Sequence, residues 1–352
     1  MSLAELRIEN LRCIESAVLE FSPELNLIAG ENGAGKTSIL EAIFLLGRGR
    51  SFRTRSSEKL IRYHQPKLTV FGRSDESPSK QAGIEVAADG GTRARINGEA
   101  AASLIELSGV FPVQAIDPEI HKLVDQGPER RRRWLDWLVF HVEPGFGAYW
   151  ARYNRALKQR NAALRSGVGE IAAWDTELIR NGNAITEARQ RTLTRLMPCL
   201  EQTFDRFGGL GVTVGFTTGW LSGISLEEAI RSHLERDRAR GTTTAGPHRA
   251  DVTLRRSQRV AREFLSRGQQ KLTAVAMIVS QLRLLKDELD LHAVLLLDDP
   301  SAELDDKNLH RLFDELSALR CQMIATSLTQ ETALFQAPKA TFHVEQGRVI
   351  RL

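Results

Sequence analysis

The sequence predicts an α/β fold in which both ends of the chain build one sheet-containing domain and a helical arm is inserted between them. Three observations predict it. An apolar run from Leu25 to Ala29 leads into Gly30-Glu31-Asn32-Gly33-Ala34-Gly35-Lys36-Thr37, and helical spacing follows at Ile39, Leu40, Ile43, Phe44 and Leu46. Late in the chain, Val294-Leu295-Leu296-Leu297 has the pattern of a buried strand and ends on Asp298-Asp299. Between them, from Glu129 to about Phe207, β-branched runs thin out and long helical patterns take over.

The elements follow in order. Leu6 and Ile8 alternate with charged neighbours, and Val18, Leu19 and Phe21 continue the strand pattern up to the run at Leu25. Between Leu68 and Glu99, alternation at Ile84-Glu85-Val86 and turn signals at Asp89-Gly90 and Asn97-Gly98 predict antiparallel hairpins. After Gly127-Pro128, the residues Trp150, Tyr153, Leu157 and Leu164 share one helix face. Ser166-Gly167-Val168-Gly169 forms a tip, and Trp174, Leu178, Ile185, Ala188 and Leu196 return on a second helix. Strand-like pieces at 211–217 and 251–254 flank a helix starting at Ser225, with Glu227 and Glu228 in its first turn. A long helix then spans about 269–289, and Met323-Ile324-Ala325-Thr326 is a further strand. The expected division is a head of residues 1–125 and 250–352 with an inserted, mostly helical arm of residues 126–249.

With 352 residues and 42% hydrophobic content, the chain can bury a substantial core. No apolar run approaches the roughly 20 residues of a membrane helix. The N-terminus carries acids where a signal peptide carries bases, and the expectation is a cytoplasmic protein without membrane attachment. Cys13, Cys199 and Cys321 are isolated, which argues against a disulfide framework or a zinc site. The net charge of +4 is compatible with a polyanionic partner.

Gly30 to Thr37 satisfies the phosphate-loop pattern GxxxxGK[ST] between a strand and a helix. In such a loop, backbone N–H groups of residues 30–38, through Ser38, close around the β-phosphate of ATP, Lys36 reaches the β/γ oxygens and Thr37 ligates Mg²⁺. Asp298, at the tip of a buried strand, is the metal-side carboxylate, and Asp299 stands where a general base or water-orienting acid belongs. Leu265-Ser266-Arg267-Gly268-Gln269-Gln270, before a long helix, resembles the LSGGQ signature of the ABC ATPases, with Arg267 in place of a glycine. In that family the signature serine and glycine contact the γ-phosphate held by the other subunit. Physically, Ser266 and Gly268 would stand at a helix N-terminus. His248 reads as a turn residue, and Trp134, Trp137, Trp150 and Trp174 as core anchors of the arm. Arg50, Arg53 and Arg55 could face nucleotide or DNA.

These motifs, in this order, resemble the RecF family of bacterial recombination and gap-repair ATPases. The resemblance extends through Leu6-Arg7-Ile8-Glu9-Asn10-Leu11-Arg12, Gly49-Arg50-Ser51-Phe52-Arg53-Thr54, Lys158-Gln159-Arg160-Asn161 and Gly246-Pro247-His248-Arg249. It implies an ABC-type P-loop ATPase head of the SMC-like kind with a short coiled-coil arm. It further implies an ATP-dependent homodimer that binds double-stranded DNA near single-strand junctions and works with RecR and RecO to load RecA. Pro300 to Asp305 would be the interface-crossing D-loop and Gln114 the Q-loop glutamine that senses metal and water. Asp299 replaces the usual Glu, and no switch histidine stands near Thr326-Ser327, which implies slow hydrolysis. For DNA phosphates the candidates are Arg130, Arg131, Arg132 and Arg133, with Arg152, Arg155 and Lys158 on the arm. Two other functions share a phosphate loop: an ABC ATPase energising a membrane partner, and a phosphotransferase.

Overall fold

The computed structural model describes residues 2–54, 56–167, 171–329 and 338–352. The chain divides into two compact units, Met1–Ile120 with Lys286–Leu352, and His121–Leu285. The first unit opens with β1 (Leu3–Leu11), β2 (Ile14–Glu20) and β3 (Leu25–Ala29), then helix α1 (Lys36–Arg48). It continues through β4 (Lys67–Ser74), β5 (Gln81–Ala87), β6 (Thr92–Ile96), β7 (Glu99–Ala100) and β8 (Val113–Ile116). Strands β2-β1-β4-β5-β6-β7 form one antiparallel sheet, as the hairpin signals predict. Its inward residues, among them Leu6, Ile8, Leu19, Val70 and Ile84, pack with Ile39, Leu40, Ile43 and Leu46 of α1 into one apolar core.

The second unit contains α2 (Pro128–Val142), α3 (Phe146–Ser166) and α4 (Ile171–Arg206). It continues with β9 (Val212–Thr217), α5 (Leu226–Ser232), β10 (Asp251–Arg256), β11 (Arg259–Val260) and the start of α6 (Arg267–Leu289). α3 and α4 run antiparallel, with Tyr153 beside Gly182 and Arg160 paired to Asp175. The last residues of the predicted tip, Val168 and Gly169, lie outside the described residues. α5 starts as predicted, with a reciprocal capping box between Ser225 and Glu228.

Here the expected domain boundary needs correction: residues 250–285 belong with the arm rather than the head. The strands near 211–217 and 251–254 do not extend the head but form their own antiparallel sheet, β11-β10-β9. The signature helix α6 is fastened to α2. Trp134 donates its indole N–H to the carbonyl of Met277, and Gln281 donates to the carbonyl of Trp134. Those polar pairings join residues more than 140 positions apart, and a sequence pattern cannot show them.

The second unit buries an unusual amount of charge. Arg160 is fully buried and donates to Asp237 at 2.7 Å, Asp175 at 2.6 Å and the hydroxyl of Thr243 at 2.9 Å. Arg189, also fully buried, clasps Asp136 through both carboxylate oxygens and donates to the carbonyl of Pro247. Tyr153 donates to Nδ1 of His248, whose Nε2 faces the carbonyl of Thr243. Burial lowers the pKa of His248 to about 4, so the ring is neutral and serves as a structural bridge within the short Pro247–Arg249 turn. Trp134 and Trp137 are buried, while Trp150 and Trp174 are half-buried.

The chain returns to the first unit through β12 (Val294–Leu297), α7 (Asp306–Ala318), β13 (Gln322–Ser327), β14 (Ala340–Glu345) and β15 (Arg348–Arg351). These join β3 and β8 in a second sheet, ordered β15-β14-β3-β13-β12-β8 and parallel except at β15. β3, β12 and β13 are buried along their whole lengths; β12 is accordingly apolar throughout, while the buried polar residues of the other two, among them Asn26, Gln322 and Thr326, are hydrogen-bonded.

The Arg160 cluster gives the first prediction. Arg160→Met should lower unfolding free energy by about 3–5 kcal/mol, because Asp237 would remain buried without its cation. Arg155→Ala, at an exposed position on the same helix, should change it by less than about 0.5 kcal/mol. Urea denaturation of the two variants checks the contrast, and equal losses would show that the buried pairing contributes little.

Candidate nucleotide site

Parallel strands place their ligand sites beyond their carboxyl ends. At that edge of the second sheet, β3 delivers the phosphate loop, β12 delivers Asp298 and Asp299, and β13, which lies between them, delivers Thr326. The loop needs glycine at particular points. Gly33 has φ 80°, a left-handed backbone, and a Cβ on Gly30 would stand 2.3 Å from the carbonyl oxygen of Val344. The loop is braced by the N–H of Gly347, which donates to the carbonyl of Ala34 at 2.8 Å. Gly35 ends it in a left-handed conformation, and α1 begins at Lys36.

Lys36 donates to the carbonyls of Gly30 and Glu31 at 2.6 and 2.9 Å, so its ammonium lies across the loop. Burial lowers its pKa, against the attraction of Asp299 and Asp298. The hydroxyl of Thr37 reaches Oδ1 of Asp298 at 3.0 Å and Oδ2 at 3.2 Å. Burial raises the pKa of Asp298, while hydrogen bonds from Thr326 and Thr37 and the charge of Arg53 pull it down. A pocket of about 750 Å³ opens here, lined by residues including Lys36, Thr37, Arg53, Asp298, Asp299 and Thr326. That volume is in the range that holds a nucleotide-sized ligand.

The donor set fits Mg²⁺. A hydroxyl and a carboxylate in contact are hard oxygen donors, and a partly hydrated Mg²⁺ on phosphate needs few protein ligands. Thr37 and Asp298 would hold the ion, which supplies charge neutralisation for the phosphates when bound. Asn32, Gly33, Gly35 and Lys36 of the loop line the same pocket, as does Asp299 beside Asp298.

Several sequence-predicted residues fall elsewhere. Gln114 is a correction: it is buried within β8, level with Leu295 of β12, and does not line the pocket. Three residues short of Asp117, which does line it, Gln114 is roughly 10 Å back along the strand. Arg131 and Arg132 are also corrections as DNA contacts. Arg131 is buried, grips both oxygens of Asp251 at 2.8 and 2.9 Å and donates to the carbonyls of Val124 and Gln126. Half-buried Arg132 donates to the carbonyl of Ala250 at 2.6 Å. Arg130 donates to Gln126 at 3.0 Å, and Arg133 pairs with Glu129 one helical turn away. Arg152, Arg155 and Lys158 are exposed on α3. Arg55 lies outside the described residues.

The signature segment stands in the second unit as an exposed helix start. Ser266 accepts the N–H of Gln269 at 3.3 Å, and the side chain of Gln269 accepts the N–H of Ser266 at 3.1 Å, a capping box. Arg267 and Gly268, in the first turn, are exposed, and the N–H groups of a first turn have no intrahelical acceptor. Arg267 also contacts Nε2 of His121 at 3.4 Å.

Two supports of the site belong to no motif in the sequence. Glu41 on α1 is fully buried, pairs with Arg12 at 2.6 Å and accepts from Ser51 at 2.6 Å. Ser51 in turn accepts the N–H groups of Arg53 and Thr54, fixing the segment that brings Arg53 to the pocket. A charged Glu at a core position of an otherwise apolar helix face was the available signal. Thr326 is the other.

Lys36→Met should weaken binding of a fluorescent ATP analogue about 10- to 100-fold, the worth of a charge-assisted phosphate contact, with little change in melting temperature. Titration in the presence of Mg²⁺ checks it, and unchanged affinity would remove Lys36 from the site.

The RecF/RecN/SMC N terminal domain family matches residues 2–349. The chain is 40% identical to the DNA replication and repair protein RecF of Pseudomonas syringae pv. syringae, over 99% of this chain and 98% of that protein. It is also 40% identical to the RecF of Shewanella baltica over 99% of each. The solved structure of the recombination mediator protein RecF-ATP in the RecFOR pathway is similar at TM-score 0.89 and 26% identity, covering 99% of this chain and 97% of that one. The SmcHead bound to the C-winged helix domain of ScpA is similar in fold alone, at TM-score 0.58 and 18% identity over 100% of this chain and 98% of that one. The fold is thus the ABC-type ATPase head with an inserted arm, and by full-length match and full-length identity the chain belongs to the RecF family.

Proposed function

We propose that this protein is an ATP-dependent, double-stranded DNA-binding protein of recombinational gap repair and replication restart. Two copies sandwich ATP between the phosphate loop of one and Ser266, Arg267, Gly268 and Gln269 of the other. The observation that carries this reading is the Thr37–Asp298 contact, a hydroxyl and carboxylate suited to Mg²⁺–ATP, in a chain similar to RecF proteins over its full length. A RecF structure with ATP in the RecFOR pathway supports the nucleotide and the pathway. The exposed, capped start of α6 is suited to an anion presented by a second copy, because helix dipole and first-turn N–H groups converge there.

Hydrolysis to ADP and phosphate is slow in this reading and releases DNA. Asp299 is shorter than the Glu it replaces, and a water held at greater reach is activated less well. DNA stimulates the hydrolysis. The DNA surface includes the exposed face of α3 with Arg152, Arg155 and Lys158, with Arg130 and Arg133 as further phosphate contacts. Junctions of double with single strands are the preferred sites, and RecR, with RecO, links the bound protein to RecA loading in the cytoplasm. The relatives are RecF proteins along their whole length, so neither the membrane-partner nor the phosphotransferase alternative is carried forward.

Fluorescence anisotropy with a duplex bearing a single-stranded end tests the reading. ATP should tighten binding at least about tenfold over ADP. Replacing Arg152, Arg155 and Lys158 together by alanine should weaken binding equally on unrelated sequences and reduce the salt slope by roughly one per lost phosphate contact. Equal affinity in ADP and ATP would reject nucleotide gating, and an unchanged salt slope would move the DNA surface off α3.

A further inference from the structure

Thr326 is fully buried at the end of β13, and its hydroxyl is bonded on both sides. It accepts the N–H of Asp299 at 2.9 Å and donates to Oδ1 of Asp298 at 3.0 Å. A threonine hydroxyl has one hydrogen, so the Asp299 bond to its lone pair leaves that hydrogen committed to Asp298. Oδ1 of Asp298 then carries two donors, Thr326 and Thr37, while Oδ2 has the longer contact to Thr37. The carboxylate cannot rotate without breaking one of these bonds. The same hydroxyl anchors a strained backbone: Asp299 has φ 48° and ψ 57°, a left-handed conformation that costs a non-glycine residue about 1–2 kcal/mol. The strand order makes the contact possible, because β13 lies beside β12 with Leu297 opposite Ala325, which sets Thr326 level with Asp298.

We propose that Thr326 is a positioning residue that fixes both acids of the site, orienting Asp298 toward the metal and Asp299 toward the attacking water. The proposal rests on the Mg²⁺–ATP reading of the pocket. Partners of this kind, which bond a metal-side carboxylate without touching the metal, govern metal affinity by holding the ligand in one orientation. Neither neighbour can substitute for it. Thr37 is the residue that meets the metal, and Ser327, one position on, leaves the strand on its opposite face.

The test compares wild type, Thr326→Val and Thr326→Ser by two readouts. The first is the Mg²⁺ concentration that half-saturates binding of a fluorescent ATP analogue, and the second is the separation of kcat from KM in ATP hydrolysis. Thr326→Val removes the hydroxyl at nearly constant shape and should raise the half-saturating Mg²⁺ concentration about tenfold. Its kcat should fall about tenfold while KM for ATP at saturating Mg²⁺ stays within about twofold. Thr326→Ser keeps the hydroxyl and should restore both readouts. If valine prevents folding, Thr326→Ala makes the same comparison. A variant that lacks the hydroxyl yet has wild-type Mg²⁺ dependence, with only its melting temperature lowered, would reduce Thr326 to a structural role and overturn the proposal. Equal impairment of the serine variant would overturn it too, because the hydroxyl would then not be the agent. Failure of the wild type to bind the analogue at any Mg²⁺ concentration would instead reject the nucleotide reading itself.

Discussion

The hydroxyl of Thr37 meets the carboxylate of Asp298 across 261 residues of sequence, and the second sheet of the first unit brings the two together. Thr37 is placed by a loop that must turn from β3 into α1 within a few residues, which restricts it to left-handed backbone at Gly33 and Gly35. Asp298 is placed by β12, buried on all four of its residues and two strands away from β3. β13 fills the gap between them, and parallel pairing keeps the three carboxyl ends level. A shift of register by one residue would turn Asp298 to the other face of the sheet and separate the pair.

In the second unit, charge is spent on the interior. Arg131, Arg160 and Arg189 each satisfy a carboxylate and at least one further oxygen while almost or wholly buried. Such residues define which surfaces pack, because any alternative packing strands a guanidinium without acceptors. Arg152 and Arg155 on α3, by contrast, stand exposed.

The loop between β3 and α1, the buried strand ending on Asp298 and the strand-to-helix alternation were readable in the sequence, because each depends on local spacing or on a contiguous buried run. The sequence did not reveal what depends on pairing between distant residues. Arg131 and Arg132 look like Arg130 and Arg133 in a run of four arginines, and only Asp251 and the carbonyl of Ala250 distinguish them. Gln114 follows an apolar stretch that reads as a finished strand, but β8 continues past it to Ile116 because it pairs with β12. The boundary near 250 failed for a similar reason: the strands there have the same composition as head strands, and their partner β9 decides their unit. Thr326 was noted as the place where a histidine was missing, whereas its hydroxyl bonds to both acids of the site.

If ATP closes two copies of this chain on each other, the mass of the protein in solution changes with nucleotide. Light scattering should give a monomer without nucleotide and with ADP, and a dimer with ATP and Mg²⁺ that Ser266→Arg prevents. A monomer under all three conditions, at protein concentrations well above those that support DNA binding, would contradict the shared nucleotide site and leave the phosphate loop as an ATP site acting within a single chain.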